Sequence, residues 1–174
     1  MKHQHFSLFV LLLWAILCAP IQAKVLKTVK LNFGTNAEDY TLTAYETPQK
    51  LTDDASEDIL GPTIVLKKGK KEVARLIAPG HPRFSAAEGF MDIVAKGKYF
   101  TIESVQDGGW FFVNTYITFK YDDLTKQVLL YRYGESYTDR REPEKDIPDY
   151  IVKIKERIPF SQNAIEYIEN MPRD

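Results

Sequence analysis

Residues 98–134 read KYFTIESVQDGGWFFVNTYITFKYDDLTKQVLLYRYG. Three runs of β-branched and aromatic residues are separated by two turn signals, Gln106-Asp107-Gly108-Gly109 and Asp122-Asp123-Leu124-Thr125-Lys126. Such side chains suit a pleated, half-buried surface, and Asp and Gly supply turn geometry. The spacing predicts strands over 98–105, 110–121 and 127–133, the last closed by Gly134. Short turns join neighbouring strands antiparallel. The expected core is therefore a three-stranded antiparallel meander, within the aromatic-rich stretch 90–137. In the middle run Phe111, Val113, Ile117 and Phe119 share one parity and should be buried together. Trp110 and Tyr116 take the other parity.

Outward from this segment the pattern stays β-like. Val25, Val29, Leu31 and Phe33 share a parity and predict a strand, ended by Gly34-Thr35-Asn36. Tyr40, Leu42 and Ala44 alternate with Thr41 and Thr43 in a second strand. The polar stretch 48–58, with Asp53, Asp54, Glu57 and Asp58, reads as a loop. The apolar runs 63–66 and 73–78 flank Lys67-Lys68-Gly69-Lys70-Lys71, a hairpin in which Gly69 can take positive φ. Residues 83–97 read as irregular chain or a short helix, since Ser85 and Glu88 have capping-box spacing but Gly89 opposes a long helix.

Beyond the meander, 138–149 is charged and proline-containing and reads as a solvated linker. Val152 and Ile154 alternate with Lys153 and Lys155, which favours a strand over 150–158, although Ile151, Ile154 and Ile158 also fit a helix. Ser161 is the expected N-cap of a terminal helix. Phe160 can staple onto Ile165, Ile165 and Ile168 share a face, and Pro172 stops the helix. The predicted fold class is mainly β (α+β): an antiparallel meander sheet with a short C-terminal helix.

The beginning of the chain has a different character. Lys2 precedes an unbroken apolar run, 8–19, then Pro20 and Ala23. At ~1.5 Å per helical residue this run spans ~18 Å, short of the ~30 Å hydrocarbon core. Residues 1–23 are expected to be a cleaved secretory signal peptide, leaving 24–174 as a single β-rich domain with no stable membrane insertion. Lipidation at Cys18 fits less well, because Leu17 precedes it where lipoprotein sites carry a small residue. Cys18 is the chain's one cysteine, and without the leader His81 is its one histidine. An exported domain without disulfide staples suits a bacterial periplasm better than the eukaryotic exterior.

The 174-residue chain has 23 Lys+Arg against 24 Asp+Glu, and this formal charge of −1 argues against a charge-driven nucleic-acid binder. The hydrophobic content of 44% and aromatic content of 13% exclude a disordered chain. Catalytic groups are scarce. His81 lies between Gly80 and Pro82 with no Gly-x-Ser-x-Gly elbow to serve, and reads as a turn residue. One histidine cannot build a zinc site, and 53–58 lacks the alternating ligands of a calcium loop. Glu103 is the one acidic residue flanked by strand-like apolar neighbours, and a glycosidase would need a second carboxylate facing it. The lysines around Gly69 read as a solubilising hairpin tip, or as a contact for an acidic partner.

The strongest candidate site is a Tyr/Arg group. By simple alternation Tyr131 and Tyr133 share one face, with Arg132 on the other, and Tyr137, Arg140 and Arg141 follow. Tyr and Arg combine contact area with directional polar groups and dominate interface hot spots. The competing reading makes the tyrosines core-flanking and the arginines solvated. Tyr131, Tyr133, Tyr137, Arg140 and Arg141 are the expected partner-binding residues, with another protein as partner and with no catalytic residue, metal or cofactor.

The strings Gly97-Lys98-Tyr99-Phe100-Thr101-Ile102-Glu103, Tyr116-Ile117-Thr118-Phe119-Lys120-Tyr121-Asp122 and Leu130-Tyr131-Arg132-Tyr133 resemble a pattern in small exported β-rich proteins of Gram-negative bacteria. Those proteins are mostly uncharacterised, and some are thought to be periplasmic immunity proteins against toxins delivered between bacteria. The resemblance covers about residues 97–140 and carries no catalytic residue. The scarcity of catalytic groups, the export signal and the Tyr/Arg face together predict an exported non-enzymatic protein-binding module, an inhibitor or immunity protein that blocks a toxin or hydrolase. The alternatives are a small cell-wall glycan hydrolase using carboxylates such as Glu103, and a structural envelope protein.

Overall fold

Two antiparallel sheets face each other across one apolar core. The computed structural model describes residues 23–34, 39–46, 61–79 and 89–172. The first sheet has the order β1 (Val25–Leu31), β2 (Tyr40–Tyr45), β3 (Thr63–Lys68), β4 (Lys71–Ile77). The second has the order β5 (Gly89–Lys96), β6 (Tyr99–Asp107), β7 (Phe111–Asp122), β8 (Gln127–Asp139), β9 (Tyr150–Lys153). The expected meander is β6–β7–β8, the centre of the second sheet, and the single described helix is Gln162–Glu169 near the C-terminus.

Along β2, β6 and β7 the inward faces follow alternation, whereas Val25, on the parity of Leu31 in β1, is 53% exposed beside a bulge. Leu31, Leu42, Ile64, Leu66 and Leu76 pack against Ile93, Phe100, Ile102, Ile117, Phe119 and Leu130. Phe33 stacks on Tyr121 with ring centres 4.4 Å apart, joining the sheets. Phe160 closes one end of the core, edge-on to Phe119 at 4.9 Å and to Phe100 at 5.8 Å. Ile117 and Phe119 are fully buried, whereas Phe111 and Val113, on the same face, are half-buried at the far end of β7. Edge strands β1 and β5 are tied by the Lys27–Asp92 ion pair at 2.7 Å.

The helix buries Ala164, Ile165 and Ile168, and the Gln162 side-chain carbonyl accepts a hydrogen bond from the Ile77 N–H at 2.8 Å. Ser161 stands at the N-cap as expected but makes no capping bond; its hydroxyl donates to the Pro159 carbonyl at 3.2 Å. Gly69 takes positive φ in the β3–β4 turn, as the sequence predicts.

Three boundaries differ from the sequence reading. Residues 89–96 form β5, not irregular chain or helix. A bulge between Phe90 and Asp92 breaks its alternation, so Phe90 and Ile93 can both turn inward. β8 does not stop at Gly134. It continues to Asp139, because Gly134 is paired on both sides, with Tyr116 of β7 and Ile151 of β9. The segment 150–158 begins as strand β9 but leaves strand geometry after Lys153. Its backbone stays on β8 through Ile154 N–H to Tyr131 O at 3.0 Å and Leu130 N–H to Ile158 O at 2.8 Å. Leader residues 1–22, the acidic run 53–58 and His81 lie outside the described residues.

Candidate functional site

A bulge in β8 decides where the Tyr/Arg residues point. Thr118 pairs with Arg132 but the next β7 residue, Phe119, pairs with Leu130, which leaves Tyr131 as the extra residue. Simple alternation is therefore broken at Tyr131. Leu130 and Tyr133 both face the core, at 2% and 4% exposure, while Tyr131 turns outward and packs edge-on against Tyr99 at 5.2 Å. Tyr131 and Tyr133 thus do not share a face, and Arg132 accompanies Tyr131 on the outer one. Tyr133 is withdrawn from any partner surface. Its ring lies 6.4 Å from that of Tyr150 and its hydroxyl donates to the buried Glu135 carboxylate.

The other end of β8 gathers the remaining candidates. Tyr137 faces inward, with its hydroxyl on Glu135 and its ring edge-on to Phe111 at 6.5 Å. Just past the strand, the Arg140 N–H donates to the Trp110 carbonyl at 3.0 Å, which aligns two arginines with two aromatic rings. The Arg140 guanidinium lies 4.2 Å from the Phe112 ring centre and that of Arg141 lies 3.7 Å from the Trp110 ring centre. Asp139 fixes the turn by accepting from the backbone N–H groups of Arg141 at 2.8 Å and Glu142 at 3.2 Å. The Arg141 N–H bond is the main reason its carboxyl titrates below the ordinary range. Trp110 remains 60% exposed.

The five sequence candidates therefore divide. Arg140 and Arg141 meet Phe112 and Trp110 at one tip of the second sheet, and Tyr137 stands at the same end of β8 on the inward face. Tyr131 lies on the outer face towards the opposite end, and Tyr133 is core. Trp110 and Phe112 belong to the tip and are absent from the sequence assignment. The signal for them was cross-strand pairing counted from the β7–β8 turn, and the bulge at Tyr131 shifts that count by one.

Glu103 also lies on the outer face, opposite Asp92 on β5 and Tyr116 on β7. Burial pushes the Glu103 carboxyl up, and the Asp92 charge adds to this. Burial acts on Asp92 in the same direction. The Lys27 ammonium and the Ile93 N–H, both at 2.7 Å, outweigh it and hold that carboxyl below its ordinary value. The two acids have opposed environments, but they occupy an open sheet face, with the Asp92 side chain 39% exposed.

At the β3–β4 hairpin the Lys67 ammonium reaches the Tyr45 hydroxyl at 3.5 Å and that of Lys68 lies 6.0 Å from the Tyr40 ring centre. Among the described residues no group of three His, Cys, Asp or Glu is placed to hold a metal ion, and no helix is long and apolar enough to cross a membrane. No family model matches the chain, and no curated protein or solved structure matches it significantly.

Proposed function

We propose that the chain is an exported, non-enzymatic binding module that acts in the periplasm as an inhibitor or immunity protein, docking on another protein through the tip formed by Trp110, Phe112, Arg140 and Arg141. The observation that carries this reading is the exposed Trp110 indole with the Arg141 guanidinium stacked on it at 3.7 Å. Stacking holds the guanidinium plane fixed and leaves its edge N–H groups to receive a carboxylate, so less side-chain entropy is lost on binding. An exposed Trp beside Arg has the composition of an interface hot spot. An acidic surface, such as the cleft of a hydrolase, is the complementary partner. The resemblance of residues 97–140 to small exported proteins supports the same reading.

The experiment is capture of a partner from envelope extracts by the mature chain, repeated with Trp110→Ala and Arg141→Ala. Loss of capture in both supports the assignment, and capture unchanged in both overturns it. A second reading, glycan hydrolysis by carboxylates, is favoured by the facing pair Glu103 and Asp92. It is tested by incubating the pure protein and its Glu103→Gln variant with peptidoglycan.

A further inference from the structure

Arg132 on β8 and Lys153 on β9 stand directly opposite one another on the outer face of the second sheet. Like charges in this position repel and weaken the strand pair. A third cation, Lys120 on β7, shares the face: its ammonium lies 5.5 Å from the Tyr99 ring centre and 5.7 Å from that of Tyr131. The Lys153 ammonium lies 5.6 Å from the same Tyr131 ring. Tyr131 is outward only because it is the bulge residue. Its ring attracts both ammonium groups and fixes where these long side chains sit. Among the described residues none of the three cations is ion-paired to a carboxylate.

Lys120 and Tyr131 also line a groove of ≈250 Å³. The carboxylates of this groove each have a partner of their own. Asp122 is paired with Arg157 at 2.8 Å, Asp123 with Lys98, and Glu156 accepts from the Tyr167 hydroxyl at 2.9 Å. Lys155 and Arg157 line the groove as well, so its three cations balance its three carboxylates, and the excess positive charge lies beside it, at Arg132 and Lys153.

We propose that Lys120, Arg132 and Lys153, gathered round Tyr131, form a binding site for a phosphoryl group, with the molecule that carries it lying in the adjoining groove. Three cations from three strands share this face, two of them within 6 Å of the Tyr131 ring centre. A carboxylate has one charge and a planar fork that a single guanidinium satisfies. A phosphate monoester carries about −1.5 to −2 charges and three acceptor oxygens, enough for one contact from each cation. Its binding would also remove the Arg132–Lys153 repulsion. The site is separate from the Trp110 tip and does not depend on the protein-partner reading.

The test uses the mature chain with three probes: inorganic phosphate, glycerol 3-phosphate, and vesicles of phosphatidylcholine with or without phosphatidic acid. Binding is read by calorimetry or vesicle sedimentation and by the rise in melting temperature. Saturable binding is expected, with Arg132→Gln and Lys153→Gln each weakening it about tenfold or more. In buffer without phosphate both variants should melt no lower than the wild type, because the repulsion has been relieved. Tyr131→Phe should bind normally and Tyr131→Ala weakly. Trp110→Ala should bind normally, which separates this site from the tip. Binding of the soluble ester without sedimentation identifies a soluble carrier. Sedimentation only with phosphatidic acid identifies a lipid headgroup. Absence of binding to all three probes overturns the proposal, as does equal affinity in the Arg132→Gln/Lys153→Gln double variant. Loss of a protein partner in that double variant, with no phosphate probe bound, reassigns the face to protein recognition.

Discussion

The Arg141 guanidinium lies 3.7 Å from the centre of the Trp110 ring, and the Arg140 N–H to Trp110 carbonyl bond beside it sets the register of the pair. The contact is exposed, so its share of fold stability is small. A cation–π contact in water contributes ~0.5–1 kcal/mol. Trp110→Ala and Arg141→Ala should each shift unfolding by no more than ~1 kcal/mol in denaturant titration. Each should weaken partner binding by more than about tenfold, as truncation of central Trp or Arg residues does. A variant that unfolds early, or one that binds normally, would contradict the division of labour between tip and core.

Phe119 should behave in the opposite way. It is fully buried and packs against both Phe100 and Phe160, with ring centres 5.3 and 4.9 Å away. Phe119→Ala should cost ~3–5 kcal/mol, with partner binding intact in the fraction that remains folded. Tyr133→Phe should cost ~1–3 kcal/mol, since it strips a donor from the buried Glu135. Equilibrium urea unfolding measures both.

The strands of the meander could be read from the sequence because their signals are local. Turn residues fall where Gly108, Gly109 and Asp122 punctuate the aromatic runs, and parity places Ile117 and Phe119 inward. What could not be read depends on pairing between distant segments. The bulges at Met91 and Tyr131 each insert one residue, and one residue reverses every side chain beyond it. That is why β5 was not visible as a strand and why Tyr133 looked like a neighbour of Tyr131. Gly134 reads as a terminator until Tyr150 and Ile151 are placed beside it. The tip was half legible: Tyr137, Arg140 and Arg141 carry the right chemistry, but their aromatic platforms come from the start of β7.

Export has its own test. The positive start, the apolar run 8–19 and Ala23 predict cleavage before Lys24. Mass spectrometry of the periplasmic fraction should give a mature chain beginning at Lys24. A chain that begins at lipidated Cys18, or one that retains residues 1–23, would remove the basis for the periplasmic assignment.

Acid should weaken the fold through Asp122, and Glu103 should act in the opposite sense. Asp122 accepts from the Leu124 N–H at 2.9 Å, the Thr125 hydroxyl at 2.9 Å and the Arg157 guanidinium at 2.8 Å. The Leu124 N–H contributes most, followed by Thr125 and Arg157, and together they bring its pKa down to about 2. Because the folded pKa lies below the unfolded value of ~3.9, its contribution to stability is present above pH ~4 and is lost as pH falls towards 2. Asp122→Asn should therefore lower the melting temperature at pH 7, and the gap from the wild type should close as pH approaches 2. Glu103 has a raised pKa, caused by burial and then by Asp92. Its protonated form is the one the fold prefers, so its contribution is present below the ordinary carboxylate pKa of ~4.3 and is lost as pH rises through the folded value. Glu103→Gln should melt above the wild type at pH 7 and together with it below pH ~4. Melting curves of the two variants from pH 2 to 8 give the comparison. Parallel curves for Asp122→Asn would place its carboxylate outside the turn, and a Glu103→Gln variant less stable at pH 7 would mean the carboxylate has a cationic partner.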